Sequence, residues 1–254
     1  MKKYVYVVFI LVFGLSIVNS LEIIPELKNY YDSAIDYFYY DNYYKDILDS
    51  NLSNDELKCK LSLLVNNPKY ISYNEARYEL YSYVENYDGI VSCVYTDLKI
   101  ETNKIPNPNI MNTEHTFPQS WFFGDLITYM KSDLHGLKPS QSRANSIRGN
   151  NPYGIVENIK HNLDDSLSGT DKHNNNIFEP ADKSKGQIAR IMFYWSIRYN
   201  WNIPGDKEEL FRNWHSKYPV TELEILRNSR IEDIIGTRNP FIDEPNLVNK
   251  IIDF

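Results

Sequence analysis

The sequence predicts a mixed α+β fold that is rich in helix and formed as a single domain. Helical spacing of apolar residues recurs in several segments, and a short β-branched and aromatic segment is typical of a strand. The chain has 254 residues, of which 42% are hydrophobic and 24% charged, so it can bury a sizeable core. No repeat, flexible linker or change in composition divides the chain after residue 21.

Residues 1–20 have the composition of a secretory signal peptide. Lys2 and Lys3 precede an apolar run over residues 4–18, and small or tolerated residues follow at the cleavage position. An uncleaved membrane anchor is the alternative, but the run is shorter than the roughly 20 residues that a spanning helix needs. We therefore predict a protein that is secreted or periplasmic, with a mature domain over residues 21–254 and no stable membrane insertion once the signal is removed.

The first half of the mature chain contains two segments with helical spacing and one with strand character. Apolar residues predict helices over residues 54–64, capped by Asn54, and over residues 75–84. The β-branched and aromatic run at residues 91–96 predicts a strand. Prolines and asparagines at residues 103–109 predict a loop.

The second half of the chain is predicted to be mainly helical. The polar, Asn-rich segment 161–176 is typical of a long surface loop. Residues 185–199 show the clearest apolar stripe of the chain and predict a helix. Capping boxes at residues 206–209 and 221–224 predict the starts of two further helices, and Gly236 would end the second of them.

The chain contains two cysteines, Cys59 and Cys93. An oxidising compartment permits a disulfide between them, which would contribute roughly 3–4 kcal/mol in the chain-entropy model. Two buried free thiols are the alternative. Two cysteines alone cannot form a zinc site, and the sequence contains no Cys-x-x-Cys.

Glu114, His115 and Asn145 form the pattern that is most informative about chemistry. A carboxylate and a carboxamide offer hard oxygen ligands that suit Mg²⁺ or a similar cation. The imidazole beside them offers a base that is uncharged near neutral pH. A metal, a base and open coordination positions together suffice to hydrolyse a phosphodiester. No His-Glu-x-x-His occurs, which disfavours a zinc metallopeptidase.

The local sequence predicts how Glu114 and His115 are presented. Adjacent side chains of a regular strand point to opposite faces, whereas at a bent strand end both can reach one cleft. Pro118 follows and prevents a regular ladder from continuing there. We therefore expect Glu114 and His115 at the end of a strand.

A second strand and a helix are predicted to complete this unit, over about residues 112–150. The brief alternation at residues 133–137 predicts the strand, which Pro139 would end. Ser140 or Ser142 could cap the helix that follows. The start of such a helix carries free N–H groups and a positive partial charge, which favour a nearby phosphate.

The charge distribution is compatible with a nucleic-acid partner. The net charge of −7 argues against one at first, but the sign reverses locally. Between residues 131 and 148 a single acidic residue, Asp133, faces four basic ones: Lys131, Lys138, Arg143 and Arg148. Phosphate contact requires such a local basic strip.

The residues of this region resemble the endonuclease I family of His-Me-finger (ββα-metal) nucleases. The matching strings are Asn-Thr-Glu-His-Thr-Phe-Pro-Gln-Ser at residues 112–120, Lys-Ser-Asp-Leu-His-Gly-Leu-Lys-Pro at 131–139 and Ser-Arg-Ala-Asn-Ser-Ile-Arg-Gly-Asn-Asn-Pro-Tyr-Gly at 142–154. The similarity extends downstream to Thr-Arg-Asn-Pro-Phe-Ile-Asp at 237–243 and covers roughly residues 70–254.

The resemblance implies a secreted or periplasmic nuclease that cuts DNA, and often RNA, with little sequence preference. Carried over by position, His115 is the general base, while Glu114 and Asn145 bind one divalent cation. The cation is expected to be Mg²⁺, with Mn²⁺ or Ca²⁺ as alternatives. Arg148 and Arg190 are candidate phosphate contacts, although each could equally form an ion pair inside the fold. The chain is expected to act as a monomer.

Two positions depart from the pattern of the family. Asn112 stands where some relatives carry an acidic residue, which puts outer-shell support of the metal in doubt. Gly136 stands where many relatives carry a second histidine. Its neighbour His135 lies between leucines and is predicted to be structural. The alternative function is a secreted nucleic-acid-binding protein that uses the nuclease scaffold without turnover.

Overall fold

The computed structural model describes residues 44–48 and 50–254. Contacts divide the chain into two units, residues 1–51 and residues 52–254. The described part of the first unit contains the short helix α1, Lys45–Leu48. The predicted signal peptide lies outside the described residues. None of the helices that are described is long and apolar enough to cross a membrane.

The second unit begins with two helices that the apolar spacing predicts correctly. Helix α2 spans Asn54–Val65, and α3 spans Tyr73–Glu79 and continues as a π-helical turn, Leu80–Val84. A capping box between Ser72 and Glu75 starts α3. The predicted cap of α2 is wrong. Asn54 is its first residue, and its side chain instead accepts a hydrogen bond from the backbone N–H of Ile252.

The first sheet is small and antiparallel, in the order β1–β2–β3. Its strands are Asn86–Tyr87, Ile90–Ser92 and Lys99–Glu101. The strand predicted at residues 91–96 is shorter because the chain turns after Ser92. Cys93 Sγ stabilises this turn by accepting the backbone N–H groups of Tyr95 and Thr96.

The predicted disulfide is not formed. Cys59 is exposed on α2, whereas Cys93 is buried, and both are free thiols. Besides the bonds within its own turn, Cys93 Sγ accepts the backbone N–H of Gln141. The sulfur is thus directed into the protein interior by backbone donors rather than towards Cys59.

The predicted strand–loop–strand–helix unit is present, with different boundaries. Strand β4, Met111–His115, pairs antiparallel with β5, Leu137–Gln141, so that Glu114 faces Lys138 and His115 faces Leu137. Two 3-10 turns, Gln119–Trp121 and Gly124–Leu126, and helix α4, Ile127–Ser132, connect the strands. Helix α5, Ser142–Arg148, follows β5 directly.

Two details of the second half of this unit were predicted wrongly. Strand β5 runs through Pro139 instead of ending there. An antiparallel strand directs only every second N–H towards a given neighbour, which allows a proline to be accommodated. The Pro139 carbonyl accepts a hydrogen bond from the backbone N–H of Val94. Gln141 is the N-cap residue of α5, and no side chain caps that helix.

A third sheet replaces the surface loop predicted at residues 161–176. Its antiparallel strands are β6, Asn158–Leu163, β7, Ser166–Thr170, and β8, Asn176–Glu179. The prediction failed because β6 is almost entirely exposed and therefore polar, without the alternation of a half-buried strand.

The C-terminal part is helical, as predicted. Its helices are α6, Asp182–Tyr199, α7, Gly205–Lys217, α8, Glu222–Ile235, and α9, Pro240–Asp243, and a 3-10 segment, Pro245–Lys250, follows. Helix α6 is buried on nearly all sides and forms the centre of the core.

The helix termini of this part follow the sequence signals only in part. Thr221 and Glu224 form the predicted capping box, and Gly236 ends α8 with φ 75°. The capping box predicted at residues 206–209 is absent, because α7 starts one residue earlier behind Pro204, which has no capping side chain. Helices and small antiparallel sheets together confirm the α+β class.

Candidate active site

Glu114 lies at the end of β4 and is 2% exposed. Its Oε1 accepts a hydrogen bond from the Tyr95 hydroxyl over 2.7 Å and lies 3.2 Å from Arg148 Nη1. The Tyr95 and Tyr153 hydroxyls are 2.6 Å apart, and the Arg148 guanidinium lies 4.8 Å from the centre of the Tyr153 ring. These side chains hold the carboxylate in one position from several sides.

Electrostatics in this pocket keep the tyrosine hydroxyls protonated. Burial, reinforced by the nearby Glu114 charge, raises the pKa of Tyr95 well above its usual value. Burial also raises the pKa of Tyr153 to about 12. The pKa of Glu114 is raised by burial too, while the Arg148 charge and the Tyr95 hydroxyl oppose that rise. Tyr95 is therefore a hydrogen-bond donor to the carboxylate at neutral pH.

Asn145 lies on α5 with its amide group oriented by β4. Its Nδ2 donates to Asn112 Oδ1 over 2.7 Å and to the Thr113 carbonyl over 3.3 Å. Within residues 44–48 and 50–254, Asn145 Oδ1 accepts no hydrogen bond. The structure thus supplies two oxygen donors anchored on the same strand, the Glu114 carboxylate and the Asn145 carbonyl. This donor set fits a hard cation.

His115 is 6% exposed and both of its ring nitrogens are hydrogen-bonded. Nε2 lies 3.0 Å from the Lys131 carbonyl, and Nδ1 lies 3.2 Å from Gln119 Nε2. A carbonyl only accepts, so Nε2 carries the hydrogen and Nδ1 presents its lone pair. Burial, assisted by the charges of Lys131 and Arg148, lowers the pKa of His115 to about 4. The imidazole is therefore neutral at physiological pH, with Nδ1 unprotonated.

The surroundings of His115 differ from those of Glu114, as expected for adjacent residues of a strand. Its ring packs against Tyr73, 5.4 Å between centroids, and Phe122, 5.7 Å away. Gln119, which covers Nδ1, is exposed to solvent. Displacement of this exposed side chain would free His115 Nδ1 to accept a hydrogen bond from water.

A comparison with known proteins identifies the family. The profile of the family described as Endonuclease I matches residues 53–246, which is more than half of the chain. The chain belongs to the endonuclease I family. It is therefore a member of a family of nuclease enzymes, and the resemblance noted in the motif is confirmed.

Several named proteins are similar to this endonuclease I family member. Endonuclease-1 of Buchnera aphidicola subsp. Baizongia pistaciae is 33% identical over 152 residues, which cover 53% of this chain and 62% of that protein. The extracellular ribonuclease of Bacillus subtilis is 27% identical over 222 residues, covering 78% of this chain and 74% of that protein. An extracellular deoxyribonuclease of Aeromonas hydrophila is 27% identical over 172 residues, which cover 61% of this chain and 74% of that protein.

The structure assigns different positions to the two arginines predicted to contact phosphate. Arg148 is 1% exposed and belongs to the Glu114 pocket, where it also donates to the carbonyls of His115 and Thr116. It positions these residues and does not present a guanidinium to solvent.

Arg190 forms an ion pair inside the fold, which was the alternative to its predicted phosphate contact. It is buried on α6, where it forms two bonds of 2.8 Å with the carboxylate of Glu224 and donates to the Tyr218 carbonyl. Its guanidinium is thus used in joining α6 to α8.

The predicted basic strip is only partly at the surface. Lys138 is buried and forms an ion pair of 2.7 Å with Glu85, so it is unavailable to a substrate. Lys131 and Arg143 are exposed. Arg143 forms no ion pair with any described residue, and its contact with phosphate stays a prediction.

The two departures from the family pattern have structural explanations. A Cβ atom on Gly136 would lie 2.9 Å from the Trp195 ring, so the tryptophan occupies the space that a larger residue would need. His135 is buried, with Nε2 bonded to the Thr237 carbonyl, and its predicted structural role is confirmed. Asn112, the other departure, orients Asn145 as described above.

Sequence reasoning missed the residues that support the site. Gln119 lies four residues after His115, within the string at residues 112–120, so its closeness in sequence to His115 could have suggested a contact. Tyr153 also lies within a quoted string, whereas Tyr95 is one of 21 tyrosines and no local pattern marks it. In the described part of the chain, no group of three or more His, Cys, Asp or Glu side chains could hold a metal. A pair of one glutamate and one asparagine is not a group of that kind.

Proposed function

We propose that this protein is an exported, metal-dependent endonuclease that hydrolyses phosphodiester bonds of DNA and RNA with little sequence preference. The observation that carries the proposal is the neutral His115 imidazole, with Nδ1 as its base, next in sequence to the buried Glu114 carboxylate. Asn145 supplies a second oxygen donor, held by the same strand.

In the proposed reaction, a water molecule displaces Gln119 from His115 Nδ1 and donates a proton to that nitrogen. The water oxygen forms a bond to phosphorus, and the bond between phosphorus and the 3′ oxygen breaks. The leaving 3′ oxygen takes up a proton from solvent water, so the products are a 5′-phosphate and a 3′-hydroxyl, and the His115 imidazolium returns its proton to solvent. The Lys131 carbonyl keeps the bond to Nε2–H throughout. It therefore favours the imidazolium that forms and prevents the ring from rotating.

Glu114 and Asn145 would hold one divalent cation, with Mg²⁺ expected and Mn²⁺ or Ca²⁺ as alternatives. When bound, the cation stabilises negative charge on the phosphorane and the leaving oxygen. Tyr95 and Arg148 fix the carboxylate before any cation binds, so the ligand does not need to reorganise. These two residues are positioning residues, because neither reaches the substrate in the proposed site.

The choice of substrate and location is supported by the relatives. One similar protein is named an extracellular ribonuclease and another an extracellular deoxyribonuclease. A third is named a periplasmic deoxyribonuclease. Together with the composition of residues 1–20, these names support export and action on nucleic acid.

A plasmid-nicking assay with Mg²⁺, and with EDTA as the chelated control, tests the proposal. The wild type is expected to nick supercoiled DNA with Mg²⁺ only. His115→Ala should lose at least about 100-fold in rate, the lower end of the usual contribution of a general base. His161→Ala removes an exposed histidine of β6 and is the matched control. Cleavage by His115→Ala at the wild-type rate would refute the proposal, and binding without cleavage by the wild type would favour a non-catalytic binding protein.

A further inference from the structure

Tyr73 connects the candidate base to two cationic side chains. It lies in the first turn of α3, half-buried, with its ring 5.4 Å from that of His115. Lys131 Nζ is 5.2 Å from the centre of the Tyr73 ring, and Arg77 Cζ is 5.8 Å from it. We refer to Tyr73, Arg77 and Lys131 as the Tyr73 cluster.

The two cations of the Tyr73 cluster are not neutralised by the protein. Neither Arg77 nor Lys131 forms an ion pair with a residue in the described ranges 44–48 and 50–254, and Lys131 is exposed while Arg77 is partly so. Other cations near the core, such as Lys138 and Arg190, are paired with buried carboxylates. Two unpaired positive charges on one tyrosine, in a chain of net charge −7, are available to an anionic partner.

The position of the cluster indicates which partner this is. Lys131 lies next to His115, because the Lys131 backbone carbonyl accepts a hydrogen bond from His115 Nε2. The cluster therefore lies on the imidazole side of β4, whereas Tyr95, Tyr153 and Arg148 surround Glu114. A nucleic-acid strand that presents one phosphate to His115 carries further phosphates on either side.

We propose that Tyr73, Arg77 and Lys131 form a subsite for a phosphate of the substrate strand next to the one that is cleaved. The proposal rests on the proposed function and names a binding subsite within it. Arg77 can bind such a phosphate with two N–H groups, and Lys131 adds a point charge. The Tyr73 ring holds both cations by cation–π contact, and its hydroxyl supplies a further donor. Burial raises the pKa of Tyr73, which keeps that hydroxyl protonated.

The test compares two substrates and a double variant, Arg77→Gln/Lys131→Gln. On a polynucleotide the variant should show a KM raised on the order of tenfold, with kcat within about twofold of the wild type. On bis(p-nitrophenyl) phosphate, which has only the phosphate that is cleaved, the single variant Arg77→Gln should leave both parameters unchanged while raising the KM for the polynucleotide, because Arg77, unlike Lys131, makes no hydrogen bond to His115. The matched control is Lys60→Gln/Lys172→Gln, which removes two exposed positive charges elsewhere and should leave both substrates unaffected.

Salt dependence of binding provides a second measurement. The affinity for a fluorescent oligonucleotide is followed by anisotropy in EDTA at several salt concentrations. The slope of log K against log salt should become shallower by about 1 for the double variant, because one phosphate contact is lost. Lys131→Gln alone removes an exposed side chain and keeps the test available if the double variant does not fold.

The outcomes separate this inference from the proposed function. If the wild type cleaves neither substrate, the proposed function fails whatever the cluster does. If the wild type cleaves and the double variant has the wild-type KM and salt slope, the inference is overturned. An equal loss on both substrates would also overturn it, because the cluster would then act on the cleaved phosphate or on His115 itself.

Discussion

The side-chain amide of Asn145 donates to Asn112 Oδ1 over 2.7 Å, and this bond fixes the orientation of the Asn145 amide group. Asn112 stands where some relatives carry an acidic residue, yet as a neutral acceptor it can still orient Asn145. Asn112 thus keeps the Asn145 amide oriented but does not add the negative charge that an acidic residue would bring.

We predict that Asn112→Ala weakens metal activation and that Asn112→Asp does not. The alanine variant loses the acceptor for Asn145 Nδ2, so the Mg²⁺ concentration for half-maximal nicking should rise on the order of tenfold, the low end for loss of outer-shell support. The aspartate variant keeps an acceptor and adds a negative charge, so that concentration should equal or fall below the wild-type value. A titration of nicking rate with Mg²⁺ measures both. Equal values for all proteins would mean that Asn145 needs no such support.

Removal of Arg148 is expected to destabilise the fold strongly. Arg148→Met leaves Glu114 buried without its cation, which typically costs about 3–5 kcal/mol in the free energy of unfolding. Arg143→Met, on the same helix but exposed, should change that energy by less than about 0.5 kcal/mol. Urea denaturation compares the two. The double variant Arg148→Met/Glu114→Gln should regain part of the loss, and a cost of Arg148→Met no larger than that of Arg143→Met would contradict the buried ion pair.

The pH dependence of cleavage follows from the lowered pKa of His115. With a pKa of about 4, Nδ1 stays unprotonated between pH 7 and pH 5, where an unperturbed histidine would gain a proton. Single-turnover rates should therefore not show a fall with a midpoint near pH 6.5 that is due to His115. A wild-type midpoint near pH 6.5 that moves to higher pH in Gln119→Glu would disprove the neutral state described here.

The same lowered pKa affects stability with a definite sign. The unfolded chain binds a proton on His115 below its ordinary pKa of 6.5, whereas the folded protein does so only near pH 4. The contribution to stability is thus complete above pH 6.5 and is lost as the pH falls towards 4. The free energy of unfolding should fall less steeply over this range for His115→Gln than for the wild type, as measured by urea denaturation at several pH values. If the free energy of unfolding depends on pH equally in the wild type and in His115→Gln, the pKa of His115 does not differ between the folded and unfolded states.

Gln119 is predicted to control access to the base. Gln119→Ala should keep nicking activity within about threefold of the wild type, because water replaces an exposed amide on Nδ1. Gln119→Glu places a negative charge on Nδ1, which favours the imidazolium and should raise the midpoint of the pH–rate profile. Gln187→Glu on α6 is the matched control and should leave the profile unchanged. A loss of activity in Gln119→Ala comparable to that of His115→Ala would show that the amide has an essential role.

The sequence alone determined the helices with strong periodicity and the residues of the candidate site. Residues 54–65 and 182–199 repeat apolar side chains at helical spacing, a local signal that tertiary structure rarely overrides. The capping box at Thr221 and the glycine at 236 are equally local, because the bonds involved join residues a few positions apart. Glu114, His115 and Asn145 were found from residue chemistry and from a long, specific motif.

Only the tertiary structure decided how the charges and oxygens are paired. Arg148 and Arg190 look equivalent in sequence, but one meets Glu114 and the other Glu224, through contacts between distant segments. The roles of Tyr95 and of Cys93 were likewise set by groups that lie far away in the chain, Glu114 for the hydroxyl and Gln141 for part of the sulfur's environment. Local spacing governs backbone conformation, whereas the partner of a buried polar atom depends on which elements pack against it. For this reason the residues of the site were predictable and its supporting contacts were not.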